Sequence, residues 1–337
     1  ANTTASNNTA VGYTALAANT TGGNNIAVGY QSLAANTTAT RNTALGYRAL
    51  TANTTGYNNT AIGSDVLLAN TEGYQNIAVG ERTMTANTTG DNNTAVGQMA
   101  LEANTTANDN TAVGFNAMKA NTTGGYNTVM GDRALVSNTT GASNVAIGKA
   151  ALNGNTTASN NTAVGRDALV ANTTGADNTA IGKDSMDSNT TGSSNAALGV
   201  DSLQNNSTGD FNTAVGRSAL SGNSTADGNT SVGYYSMLTN STGANNTAVG
   251  SYALQENTTG ANNVAVGKGS MDSNTTGSDN IAMDEASLQS NTTAAGNTAL
   301  GGGGCMYYNT TGANNTAVGQ AALKDNTTGA VNVAIGT

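Results

Sequence analysis

Apolar and polar positions alternate along this chain in short bursts that return at one fixed interval. In the first burst Thr9 and Val11 alternate with Asn8, Ala10 and Gly12. That period of two belongs to a short extended segment and not to a helix. The tetrapeptide ending at Gly12 comes back at Gly29, Gly46, Gly63 and onward to Gly267, always 17 residues later. Asp284 takes the Gly position once, Gly301 resumes it, one residue is inserted between 302 and 308, and Gly319 and Gly336 complete twenty copies. The consensus is N-T-A-V-G-x-x-A-L-x-x-N-T-T-G-x-x. A helical-hairpin repeat needs about 33 residues or more, so the interval points to one coil of a β-solenoid per repeat.

The pattern therefore predicts an all-β fold, a β-solenoid or β-roll of about twenty 17-residue coils, with residues 1–337 as one continuous array, irregular at 301–308, and no separate globular domain. The Val11 position is always Val, Ile, Leu or Met. A second short extended segment is expected around Leu16, where Leu or Met stands in nearly every copy, as at Leu33, Met84, Met118 and Met271. These two positions are expected to form the core, with Tyr13, Tyr30 and Tyr47 facing solvent near a corner. Ala10 and Gly12 mark a face that admits nothing large, with departures only at Val129 and Ser231 in the Ala position. Small residues there mean close approach of another backbone, either the far wall of a thin coil or a second chain. Coils stacked at about 4.7–4.9 Å would carry the array over on the order of 95 Å. A core this thin favours a homo-oligomer that shares one apolar axis.

The most constant polar position is the Asn before T-A-V-G, present as Asn8, Asn25, Asn42, Asn59, Asn76 and Asn93 and in every later copy to Asn332. Its neighbour varies freely through Asn7, Arg41, Gln75, Tyr126, Phe211 and Val331, which places that neighbour in solvent and the Asn against something fixed. An amide that both donates and accepts suits a ladder of identical side chains. A ligand position repeated in every coil is the alternative. The N-T-T-G stretch supplies the turn. Its Gly becomes Ala at Ala5, Ala39, Ala107, Ala158, Ala226 and Ala294, so small size matters more there than positive φ. Most copies also form an N-x-[ST] sequon, as at Asn2, Asn19, Asn36, Asn53, Asn87, Asn104, Asn121 and Asn138, broken at Asn70 by Glu72. Two readings stay open: a ladder of turn side chains, or a coat of covalent glycans. No other cofactor is expected.

Composition narrows the chemistry. The chain has 43 Gly, no Pro, no His, one Cys and a net charge of −9. Without His there is no Ser-His or Cys-His nucleophilic pair and no imidazole ligand, so catalytic and metal residues are not expected. Cys305 alone makes no internal disulfide. Asp65, Asp167, Asp184 and Asp201 share one variable position and Lys119, Asp187 and Asp272 another, without forming a carboxylate dyad, which reads as solvation. A calcium-binding roll needs an Asp in every turn, and no position supplies one. The scarcity of Lys and Arg argues against nucleic acid. No apolar run approaches the roughly 20 residues of a membrane span. Pro is absent, as expected where every coil donates ladder hydrogen bonds. Neither end reads as a polar cap and Ala1 is not Met, so the array is expected to continue in further sequence or to stack end to end.

N-T-A-V-G-x-x-A-L, as in the segments ending at Leu16, Leu101, Leu169 and Leu323, resembles the head repeats of trimeric autotransporter (YadA-like) adhesins. It resembles still more the 17-residue N-T-A-x-G-Y-x-A-L-x-x-N-T-T-G repeats of bacterial surface and phage tail-fibre proteins. The resemblance implies a β-roll in a parallel homotrimer, used for adhesion or as a fibre shaft, outside the cell, at its surface or on a virion. The expected function is thus a non-enzymatic rod that displays its surface repetitively, gaining avidity from weak repeated contacts. Its partners would be further copies of itself and a host-surface or glycan ligand. Binding to ice or a crystalline polysaccharide through Thr and Asn ladders, the Thr20 and Thr21 positions in particular, is the alternative.

Overall fold

A computed structural model describes residues 3–336. Each repeat forms one turn of a parallel β-solenoid, about 19 turns at 17-residue spacing. The described residues contain twenty strands of three residues each and no helix. The chain divides into two compact units, Ala1–Asp167 and Ala168–Thr337. In the first, β1 (Thr9–Val11) to β10 (Thr162–Val164) pair in parallel, each residue opposite its equivalent in the next coil, as with Ala27 and Ala44. In the second, β11 (Thr179–Ile181) to β20 (Val333–Ile335) pair the same way, as with Ala248 and Ala265. The insertion after Gly301 does not disturb this register, since Thr298 still pairs with Thr316.

Only one of the two expected extended segments is a strand. Thr14 and Leu16 both lie in the left-handed region, at φ 53°, so the Leu16 stretch is a chain of turns. A third left-handed residue, Asn7 at φ 60°, precedes the strand, and all three positions recur through both units, even as Val331 at φ 59°. Such backbone costs roughly 1–2 kcal/mol per non-glycine residue. It persists because the stack fixes it: the Asn24 and Gln31 N–H groups donate back to the Ser6 and Tyr13 carbonyls, and Leu33 donates forward to Ala49, at 2.9–3.1 Å. The Gly that ends each strand answers a stricter demand. At Gly46 φ is +140°, and a Cβ there would lie 2.1 Å from the Gly63 carbonyl oxygen.

The strand alternates as its sequence says, but its two faces are the reverse of the expectation that Val11 and Leu16 form the core. Ala27, Ala44 and Ala61 have no exposed surface, whereas Val11 and Leu45 are 59% and 45% exposed. The Leu16 position is interior as expected, with Leu33, Leu50 and Leu67 fully buried. Between Leu and strand the interior is one side chain thick. The Ser270 and Ser287 hydroxyls, on the turn wall beside Met271 and Leu288, donate directly to the strand carbonyls of Ala282 and Ala299 at 3.1 Å. At that separation a methyl group fits on the strand side, and the larger aliphatic residue is turned out. The interior is thus made of Ala, Leu or Met, and two asparagines per coil.

Candidate functional site

The two asparagines meet at one carbonyl. Asn25, Asn42, Asn59, Asn76 and Asn93 are fully buried. In each, the backbone N–H donates to Oδ1 of the Asn one coil back, Asn42 to Asn25 at 2.9 Å for example. Its Nδ2 reaches across the coil to the last residue of the N-T-T-G turn, Asn42 to the Gly56 carbonyl at 2.8 Å and Asn8 to the Gly22 carbonyl at 2.8 Å. This ladder ties the strand to the turn on the far side of its coil. Removing one amide would strand the buried N–H of the next coil and take one of two side-chain donors from the shared carbonyl, as at Gly56.

The sequon asparagines form the second ladder. Nδ2 of Asn36 donates to Oδ1 of Asn19 and to the Ala39 carbonyl, and Nδ2 of Asn121 donates to Oδ1 of Asn104 and to the Gly124 carbonyl, at 2.8–3.2 Å. The same pairs of bonds recur at Asn53, Asn87, Asn104 and Asn138. Asn19, Asn36, Asn53, Asn87, Asn104, Asn121 and Asn138 have no exposed surface. At Asn36, Asn53, Asn87, Asn104, Asn121 and Asn138 both hydrogens of the nitrogen that would carry a sugar are engaged inside the coil. Asn2 lies outside the described residues. Asn70 makes the point separately: Glu72 breaks its sequon, yet its amide bonds Asn53 and Gly73 like the rest. The repeated Asn serves the turn.

The surface side chains have simpler surroundings. The Thr20 position is half-buried and its hydroxyl is spent on the next coil, Thr54 Oγ1 donating to the Thr71 carbonyl at 3.1 Å, while the Thr21 position is exposed. Tyr13, Tyr30 and Tyr47 are exposed and stack ring on ring at 5.5 and 5.3 Å. Acids pair with cations of adjacent coils, as Asp65 with Arg48 at 3.5 Å and Glu102 with Lys119 at 3.4 Å, contacts worth little in water. Cys305 is a buried member of the position before the Leu or Met, elsewhere mostly Ala or Ser with Val66 and Thr83 as the larger exceptions, and burial pushes its thiol pKa up. Among the described residues there is no group of three side chains fit to hold a metal ion, and no helix long and apolar enough to cross a membrane.

What remains is the outward face of the strands, which the sequence reading had placed inside. Within each unit the Val11 position forms an exposed aliphatic row, including Leu45, Met130 and Ile147 in the first and Ile181, Leu198 and Met283 in the second. Beside it runs the Thr9 position, mostly Thr but Ile at Ile26, Ile77 and Ile281. The smallness of the Ala10 position, exceeded only by the fully buried Val129, was the available signal: the residue that rarely grows is the one that faces the wall. No family model matches this chain, and no curated protein matches it.

Proposed function

We propose that this chain is a non-enzymatic structural segment of an extracellular fibre or adhesin that associates with copies of itself through the outward Thr and Val face of its strands. The observation that carries the reading is the exposed aliphatic row within each unit, with Leu45 and Met130 in the first and Leu198 and Met283 in the second. An apolar array repeated coil after coil exceeds the scattered exposure normal for a soluble monomer. A second copy has the same row at the same spacing, so the two match residue for residue, as in a symmetric interface. A parallel homotrimer is the form that the resemblance to adhesin heads favours, with the cell surface or a virion as its place and end-to-end stacking as a further mode of growth. Analytical ultracentrifugation is the test. A homotrimer is expected, and aspartate substitutions at Val96, Val113 and Met130 should yield monomers with unchanged circular dichroism. A chain that stays monomeric at high concentration overturns the reading.

Binding to ice or a crystalline polysaccharide remains a second reading, supported by a different ladder from the one the sequence suggested. The Thr20 hydroxyls are engaged, but the outward strand face sets Thr43, Thr60 and Thr94 beside Leu45, Ile62 and Val96 in exact coil register. Thermal hysteresis or retention on crystalline cellulose would favour it, and the absence of both would remove it.

A further inference from the structure

The second unit departs from its repeat at one place, and three departures fall there together. Asp284 stands where every other copy has Gly, with its backbone at φ +102°. The inserted residue lies in the run Gly302, Gly303 and Gly304. The position two residues past the repeat Gly is as large as Arg48, Met99 or Tyr252 in other coils and small only singly, at Ala150 and Ser218, but here it is small in four successive coils, at Gly269, Ala286, Gly303 and Ala321. A stacked surface that loses neighbouring side chains from one row is left with a trench. Its wider part, about 380 Å³, begins at Tyr252 and runs past Lys268, Asp272 and Gln289. Its narrower part, about 260 Å³, ends at Tyr307, Tyr308 and Lys324, and Glu285 and Ala286 line both.

The lining is polar with a ring at each end. Oδ1 of Asp272 is buried without a hydrogen-bond partner, an acceptor that a ligand hydroxyl would satisfy. Burial, aided by the Glu256 charge and opposed by the Gln289 side chain, holds its carboxyl above the usual range. Glu285 faces Lys268 at 3.5 Å in an exposed pair that can open at little cost. Tyr252 is held edge-on to the Tyr234 and Tyr235 rings at 5.6 and 6.1 Å, and Tyr307 is edge-on to Tyr308 at 4.7 Å. Carboxylates and amides that exchange hydrogen bonds with hydroxyls, with tyrosine rings among the lining at both ends, suit a neutral polyol with apolar C–H faces. The acids disfavour a phosphate, and no aliphatic pocket is present among the lining residues for a peptide side chain.

We propose that the trench from Tyr252 to Lys324 binds a short neutral oligosaccharide. Its wider part alone, about 380 Å³, falls within the roughly 300–1,000 Å³ of ligand sites. The proposal rests on the trench alone and is independent of self-association through the strand face. The test is calorimetric titration of the intact chain with cellohexaose, maltohexaose and N-acetylchitohexaose, with tyrosine emission followed in parallel. Saturable binding of at least one probe is expected, with a change in tyrosine emission. Ala286→Arg refills the trench at a position where Arg48 and Arg82 already adopt the same left-handed backbone, φ 54° and 55° against 55°. It should fold as before and weaken binding by about tenfold or more, while Arg133→Ala in the first unit should leave binding unchanged. A wild-type chain that binds none of the three probes overturns the proposal, as does an Ala286→Arg chain with normal melting that binds as tightly as wild type.

Discussion

In β3 (Thr43–Leu45) two adjacent residues have opposite fates: Ala44 has no exposed surface, and Leu45, the larger and more apolar, is 45% exposed. The same inversion holds at β12 (Ala196–Leu198), where Ala197 is inside and Leu198 half out. When an interior is one side chain thick, size decides what enters it and hydrophobicity comes second. The large apolar residue then belongs to the far wall, as Leu50 and Leu203 do, or to the outside.

The inner side should fail hardest. Leu101 is fully buried, and Leu101→Ala is expected to cost about 2–5 kcal/mol, read from the urea midpoint of the first unit. A loss below 1 kcal/mol would mean that the coil closes over the cavity and that the inner row is not rigidly packed. Asn59→Ala should follow. It leaves the Asn76 N–H without its acceptor, about 1–3 kcal/mol for a buried group left unpaired, and the Gly73 carbonyl with Asn70 as its remaining side-chain donor. Restoration by Asn59→Asp would point to the acceptor oxygen as the part that matters, whereas continued loss would point to the Nδ2 bond across the coil.

The outer side should behave differently in kind. Val96→Thr is expected to change the stability of dilute protein by no more than about 0.5 kcal/mol, the range of ordinary surface substitutions. If a second copy covers Val96, the cost must grow with protein concentration, because association adds to apparent stability by mass action. A cost equal to that of Leu101→Ala at every concentration would place Val96 in an interior and break the comparison outright.

How much of this was written in the sequence depends on what fixes each residue. The interval, the strand and the Leu16 row were legible, because all follow from periodicity. The Asn8 ladder was legible from its constancy beside a neighbour as free as Arg41 or Phe211. The sense of the strand was not, since alternation tells two faces apart without naming the inner one. The left-handed residues were equally hidden. Leu16 at φ 53° breaks the local preference of its type, and only contacts between coils hold it there. The sequons were ambiguous for a related reason: Asn and Thr that serve the turn generate N-x-T with or without a sugar. The trench leaves a signal that is easy to overlook, a missing side chain in one row from Gly269 to Ala321, visible only once the repeats are set in register.

Asp272 blurs the line between the two sides, and the smallest expected effect lies there. It stands in a surface row, yet one carboxylate oxygen is buried without a partner, and burial raises its pKa above the ordinary 3.8. A carboxyl with a folded value above its unfolded one favours the protonated form in the folded chain. Its stabilising contribution is full below the unfolded value and is lost as pH rises through the folded one. Asp272→Asn keeps the shape and removes the titration. Thermal unfolding should therefore find the variant and the wild type alike near pH 3, with the variant gaining as pH rises above the ordinary 3.8. An Asp272→Asn chain that melts below wild type at pH 6 would show the carboxylate to be partnered, and would return this position to the ordinary solvated exterior.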